Sequence, residues 1–239
     1  MCLLIVLRGL DAEYPIVVAS NRDEYRQRYA TPPTLHVGAR RRMIGPRDSV
    51  GGGTWMAVND HGLFAGLTNV KGAAPLPDVP SRGLLPLLAL DQDDLDAALA
   101  AVEEELRERA HNPFQLLLCD ARRTVVLYHD HTHTVRSEAG AVAVISNEHR
   151  LGALHLPQLE PALAALPLEE RLARLRPILL DQGGHNGHRI LKDGGEYGTV
   201  SSSLVAIHAT DKTRLVWHYA AGQPDQVAYR NYGNLGKRL

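Results

Sequence analysis

Cys2 is the residue of this chain best placed to do chemistry. It follows Met1, and loss of a methionine before a small residue would leave a thiol and a free α-amine on one carbon. The reference pKa of an α-amine is near ~8 and that of a thiol near ~8.5. One residue would then offer nucleophile and general base together near neutrality. The plain alternative is a start methionine ahead of a strand that begins with a small residue. Leu3-Leu4-Ile5-Val6-Leu7 is apolar and reads as a buried strand, which would hold its first residue rigidly. Ile16-Val17-Val18-Ala19 reads as a second strand and runs straight into Ser20-Asn21-Arg22-Asp23-Glu24. Polar groups at the end of a buried strand are costly unless they meet partners or a substrate. Hairpin pairing of the two strands would bring this end back beside Cys2. A solvated turn is the alternative.

Other reactive residues are weighed against blander roles. Cys119 sits inside the apolar run Phe114-Gln115-Leu116-Leu117-Leu118-Cys119 and reads as an inert buried thiol. His129, His131 and His133 would share one face of a strand and could meet a metal or a haem. No fourth ligand with a recognisable spacing accompanies them, so an exposed hairpin without metal is expected. Arg40-Arg41-Arg42 reads as a solvated basic face, with an anion site as the alternative. Gly51-Gly52-Gly53 ahead of Trp55 permits a tight turn, or a backbone or ligand lying against the indole. Strands also end at Asn69 and at Asn147.

These groups need a scaffold. Strands are expected over 54–59, 63–69, 114–119, 124–128, 141–145, 200–208 and 214–219, with a last one over 227–232. Thr31-Pro32-Pro33 is expected to end local regularity. Helices are expected over 81–90, 93–109, 159–166 and 168–180, and a Gly- and His-rich loop over 181–198. In the second helix Leu95, Leu99, Val102 and Leu106 fall at helical spacing, with acidic residues early and arginine late. Hairpins interleaved with helical pairs give an α+β chain whose helices cover antiparallel sheets. The 239 residues contain no linker or repeat and are read as one domain, 1–239. A net charge of −1 argues against a nucleic-acid partner. The first apolar run is too short for a transmembrane span and lacks the flanks of a leader. Two cysteines without metal-type spacing suit a reducing, cytoplasmic setting.

Met1-Cys2, Asn21-Arg22-Asp23-Glu24, Gly52-Gly53-Thr54-Trp55, Leu67-Thr68-Asn69, Ser81-Arg82-Gly83, Ser146-Asn147 and Tyr197-Gly198-Thr199 occur together in this order. The set resembles the NRDE family, also called the transport and Golgi organisation protein two family. That family is in turn similar to N-terminal nucleophile hydrolases of the choloylglycine hydrolase and penicillin V acylase type. The resemblance implies a four-layer α-β-β-α sandwich. It implies catalytic roles for Cys2 as nucleophile, Asp23 as holder of the α-amine, and Asn69 and Asn147 as oxyanion donors. Asn21, Arg22, Glu24 and Trp55 are the expected binding residues. Two arginines of the hydrolases are missing: Ser20 stands at the position of one, and residues 197–204 contain no arginine for the other. The expected function is an amidohydrolase acting on an acyl or amide small molecule without a cofactor. The alternative is a binding or trafficking protein for haem, acyl-CoA or lipid on the same fold. In that case Trp55 would wall an apolar cleft, Arg40-Arg41-Arg42 would meet phosphates or propionates, and Cys2 or a histidine would ligate haem.

Overall fold

The computed structural model describes residues 2–72, 74–154, 156, 159, 163, 166–183 and 189–239. Met1, most of the helix expected over 159–166 and the middle of the loop expected over 181–198 lie outside them.

The first strands are β1 (Leu3–Arg8), β2 (Ile16–Tyr25), β3 (Ala30–Val37), β4 (Arg42–Asp48), β5 (Met56–Asn59) and β6 (Phe64–Asn69). Helices α1 (Leu84–Leu90) and α2 (Leu95–Glu108) follow, then β7 (Phe114–Cys119), β8 (Thr124–His129), β9 (Thr134–Ala139) and β10 (Val142–Ser146). The chain ends with α3 (Leu168–Leu179), β11 (Asp193–Gly194), β12 (Tyr197–Ile207), β13 (Val216–Ala220) and β14 (Arg230–Asn231). One sheet runs β10-β1-β2-β12-β13-β14, with β11 hydrogen-bonded to β12, and the other runs β3 to β9 in chain order. Every pairing is antiparallel.

The layers follow from strand alternation. In β1, Leu4 and Val6 point between the sheets, where they meet Met56, Phe64, Leu117 and Trp217. Leu3, Ile5 and Leu7 point the other way, into a cluster with Leu172, Leu175 and Leu179 of α3. The second sheet does the same: Ala57, Ala65, Leu116 and Leu118 pack on Leu85, Ala89, Leu95 and Leu99 of α1 and α2. A strand covered on both faces is apolar at every position, which is why β1 reads as an unbroken run. The result is the α-β-β-α sandwich. The sheets pack closely at Gly66, where a Cβ would stand 2.4 Å from Leu4 Cδ2.

Several local expectations change. Thr31-Pro32-Pro33 does not end regularity but lies within β3, on the edge of its sheet. A register shift between Thr31 and Thr34 leaves both prolines out of the ladder, where their missing N–H costs nothing. The helix expected over 81–90 begins only at Leu84, because residues 81–83 form a turn. The strand expected over 54–59 begins at Met56, and the last strand shortens to β14. The histidines do not share a strand face. His129 closes β8, buried and stacked on Phe114, while His131 sits in the following turn at φ 81°. Arg40 and Arg41 pair with Asp93.

Asn59 pins the β5–β6 turn to the end of α1. Its Nδ2 donates to Leu90 O at 3.0 Å and Gln92 O at 3.2 Å, and its Oδ1 accepts from the His61 and Leu63 amides at 3.0 and 2.9 Å. Stranding a buried polar group costs about 1–3 kcal/mol. Asn59→Ala should therefore lower stability by about 3 kcal/mol, read from urea unfolding at an unchanged m-value. A loss below about 1 kcal/mol would show that the turn rebuilds its bonds with water.

Candidate active site

Cys2 stands at the head of β1, the strand between β10 and β2, where Leu3 pairs with Ser146 on one side and Asn21 on the other. Its thiol donates to the Asp23 carbonyl at 3.5 Å. The Asn147 amide donates to the Cys2 carbonyl at 3.2 Å. Asp23 is buried behind the cysteine. Its Oδ1 accepts from Thr199 Oγ1 at 2.7 Å, and its carbonyl also accepts from the Tyr197 hydroxyl at 2.9 Å. Thr199 Oγ1 in turn accepts from the Lys192 amide at 3.0 Å. The β2–β12 register shifts between Thr199 and Ser201, and such bulges re-aim side chains. Burial holds the Asp23 carboxyl above its usual range, against the pull of Thr199 and Lys192. Burial, and after it the Asp23 charge, push the Cys2 thiol up to about 11, while Arg22 acts in the opposite sense.

Cys2 opens onto a cleft of ≈650 Å³ at this end of the sandwich, lined by Arg22 and Glu24 from β2, Trp55 just before β5, Asn69 from β6, and Arg82. The Arg22 guanidinium lies over the Trp55 ring, 4.5 Å from its centroid, so one contact joins the two sheets. Arg28 also lines the cleft and is held by Asp48 at 2.7 Å, with Glu24 at 3.8 Å. Arg82 donates to the Pro113 carbonyl at 2.7 Å, and burial pushes its guanidinium below the usual value. A close glycine contact sets its position. A Cβ on Gly53 would stand 2.2 Å from the Gly83 carbonyl carbon, and the Thr54 amide donates to Gly83 O at 2.9 Å. The turn before Trp55 thus receives backbone, and it is the backbone of the residue after Arg82.

The structure brings Cys2, Arg22, Glu24, Trp55 and Asn69 to one cleft, with Asp23 behind them. Two expected residues stand elsewhere. Asn21 shares the β2 face of Val17 and Ala19, so its side chain turns to the helix layer and donates to Leu179 O at 2.8 Å. Asn147 meets Cys2 through its backbone, while its residue lines a neighbouring cavity of ≈500 Å³ with Gln115 and Tyr128. The hydroxyl of Ser20 donates to Leu3 O at 2.8 Å, so this position supplies a backbone tie and no charge. None of Arg40, Arg41 and Arg42 lines the Cys2 cleft. Sequence reasoning gave no role to Arg28, Arg82, Tyr197 or Thr199, although the last three lie in the shared motifs.

The chain folds like several hydrolases of known structure. Penicillin V acylase from Agrobacterium tumefaciens aligns at TM-score 0.57 and 13% identity, over 92% of this chain and 83% of the acylase. An arginine-to-leucine variant of conjugated bile acid hydrolase from Clostridium perfringens aligns at TM-score 0.54 and 11% identity, over 99% and 93% of the two chains. The Caenorhabditis elegans N-acylethanolamine-hydrolyzing acid amidase ortholog aligns at TM-score 0.50 and 12% identity, over 85% and 92%. At these identities the likeness establishes the N-terminal nucleophile hydrolase fold. No curated protein sequence matches the chain. The family profile for Transport and Golgi organisation 2 matches residues 1–162, most of the chain and all of the Cys2, Asp23, Trp55, Asn69 and Arg82 positions. The chain therefore belongs to the Transport and Golgi organisation 2 family.

Proposed function

We propose that this protein is an N-terminal-nucleophile amidohydrolase that cleaves an acyl amide through Cys2. The observation that carries the proposal is the Cys2 thiol against Asp23 at the mouth of a cleft that Asn69 enters from the opposite sheet. With Met1 removed, the α-amine of Cys2 takes the thiol proton as sulfur attacks the amide carbonyl. A C–S bond forms and the carbonyl electrons move onto oxygen, where the Asn69 amide donates. The C–N bond breaks as the α-ammonium returns its proton to the leaving amine. Water then attacks the thioester, the C–S bond breaks, and a carboxylic acid and the free thiol result. Asp23, fixed by Thr199, holds the ammonium. Asn147 holds Cys2 in place through its backbone.

One oxyanion donor contributes about 3 kcal/mol to a transition state. Asn69→Ala is expected to lower kcat about 100-fold with a much smaller change in KM. Steady-state kinetics on a cleaved amide would read this, and a change confined to KM would remove Asn69 from the chemistry. The reading as a whole is tested by intact mass spectrometry after exposure to a panel of acyl donors. A mass increase equal to the acyl group, mapped to Cys2, supports it. Absence of any adduct or turnover across the panel counts against it.

A second reading, a carrier of haem, acyl-CoA or lipid on the same fold, is favoured by one observation. With Met1 retained, burial and the Asp23 charge push the Cys2 thiol up to about 11, so it is neutral at physiological pH. It would then line a binding cleft without turning its contents over. No histidine or methionine lines the cleft among the described residues. A Soret band on haem addition, lost in Cys2→Ala, would favour the haem carrier.

A further inference from the structure

The cleft beside Cys2 carries more cation than its own carboxylates use. Three guanidiniums line it, those of Arg22, Arg28 and Arg82, against the carboxylates of Glu24 and Asp48. Both carboxylates sit on Arg28, with Asp48 at 2.7 Å and Glu24 at 3.8 Å. Among the described residues neither Arg22 nor Arg82 makes an ion pair, although the Glu24 charge, itself 3.8 Å from Arg28, also acts on Arg82. Arg22 is almost wholly buried, stacked on Trp55 at 4.5 Å, and donates only a long bond of 3.4 Å to Arg28 O. Arg82 spends one nitrogen on Pro113 O at 2.7 Å. A guanidinium has five N–H donors in a fixed fork that matches the oxygens of a carboxylate or a phosphate. Desolvated cations without counter-ions are costly in the free protein. A site that keeps two of them beside a nucleophile is built to receive negative charge. The fold invests in the arrangement. The close approach of Gly53 to Gly83 fixes the turn that carries Arg82, and the Trp55 ring fixes Arg22.

We propose that Arg22 and Arg82 form an oxyanion-binding clamp, so that the group delivered to Cys2 carries a carboxylate or phosphate beside its acyl carbon. This rests on the reading of Cys2 as the reactive thiol. The clamp would do two things. It would draw an anionic ligand into the cleft, and it would orient the carbonyl against sulfur. An uncharged fatty amide would gain neither. A carboxylate ligand would belong to N-acyl amino acids or half-amides of dicarboxylic acids, and a phosphate ligand to phosphorylated acyl donors.

The test compares two alkylating reagents that differ only in charge. Iodoacetate and iodoacetamide each form a C–S bond at the thiolate and release iodide. Clefts of one charge sign raise encounter with an opposite charge about tenfold or more. Cys2 should therefore show an iodoacetate-to-iodoacetamide rate ratio about tenfold above that of free glutathione. Arg82→Gln should bring the ratio down to the glutathione value, and Arg82→Lys should retain part of the preference. Taking the ratio cancels any change in thiolate fraction. Inorganic phosphate and acetate, at constant ionic strength, should slow the iodoacetate reaction. Stronger protection by phosphate indicates the phosphorylated class, and equal or stronger protection by acetate the carboxylate class. A wild-type ratio equal to that of glutathione, with Cys2 still labelled by iodoacetamide, overturns the clamp and leaves the nucleophile standing. If Cys2 resists both reagents in a chain from which Met1 has been removed, the nucleophile reading falls. The clamp is then decided by whether phosphate raises the Tm, an effect that Arg22→Gln and Arg82→Gln must abolish. If Arg82→Gln does not fold, protection of the wild-type protein by phosphate or acetate decides the question, and its absence overturns the clamp.

Discussion

Replacing Cys2 with alanine is expected to abolish covalent acyl transfer and to lower amide turnover by about 10⁴-fold or more. The expectation rests on there being no second sulfur to take over. Cys119 is wholly enclosed in β7, where its Sγ lies 3.2 Å from Thr124 Oγ1 and 3.3 Å from Asp120 O. Burial pushes its thiol up to about 12. It is neither accessible nor ionised near neutrality. Removing Cys2 costs little elsewhere. Its side chain makes one long hydrogen bond, to Asp23 O, and Asn147 holds residue 2 through the backbone, which alanine keeps. Cys2→Ala should thus unfold at nearly the wild-type Tm while losing its chemistry. An acyl adduct that persists in this variant would place the nucleophile elsewhere and end the hydrolase reading.

The legible parts of this fold were those where one physical demand dominates. β1 and β2 are buried on both faces, so β1 is apolar from Leu3 to Leu7 and β2 from Ile16 to Ala19, before β2 reaches Ser20-Asn21-Arg22-Asp23-Glu24 at the site. A polar group in such a place must have a partner, and most of these do. β3 was not legible because its prolines forbid a regular ladder, and only the shift between Thr31 and Thr34 shows how an edge strand absorbs them. The start of α1 is not legible in the sequence because Gly83, just before the helix, serves the close contact with Gly53.

Within the site, residue type was easier to read than side-chain direction. Asn21 has the polarity of a binding residue, but strand alternation turns it to α3. Asn147 reaches Cys2 by its backbone alone, a role that no side-chain motif records. The basic triplet Arg40-Arg41-Arg42 reads as a solvated face, and Arg40 and Arg42 are exposed. The cleft instead takes its charge from Arg22, Arg28 and Arg82, which are scattered in sequence and come together only through the β2 register and the glycine contact. Arg22 lies two positions after Ser20, on the same face of β2, and lines the cleft.

Keeping Met1 on the chain is expected to slow acylation of Cys2 at neutral pH by about 10²- to 10⁴-fold, the usual contribution of a positioned general base. With Met1 present, the nitrogen of Cys2 is an amide and cannot take a proton. The thiol must then ionise unaided, against burial and the nearby Asp23 charge, which together set it at about 11. Four units below that value only about one molecule in 10⁴ carries a thiolate. The reaction of the Met1-retaining chain should therefore rise about tenfold per pH unit through neutrality and level off only near the thiol's own value. A chain that begins at Cys2 should behave differently. Its rate should level off as the α-amine loses its proton, near pH ~8. The two chains can be prepared in parallel and acylated by one donor, with the adduct followed by mass against pH. Matching profiles would show that the α-amine takes no part. Cys2 would then be a thiol in a binding cleft, and the carrier reading would replace the hydrolase.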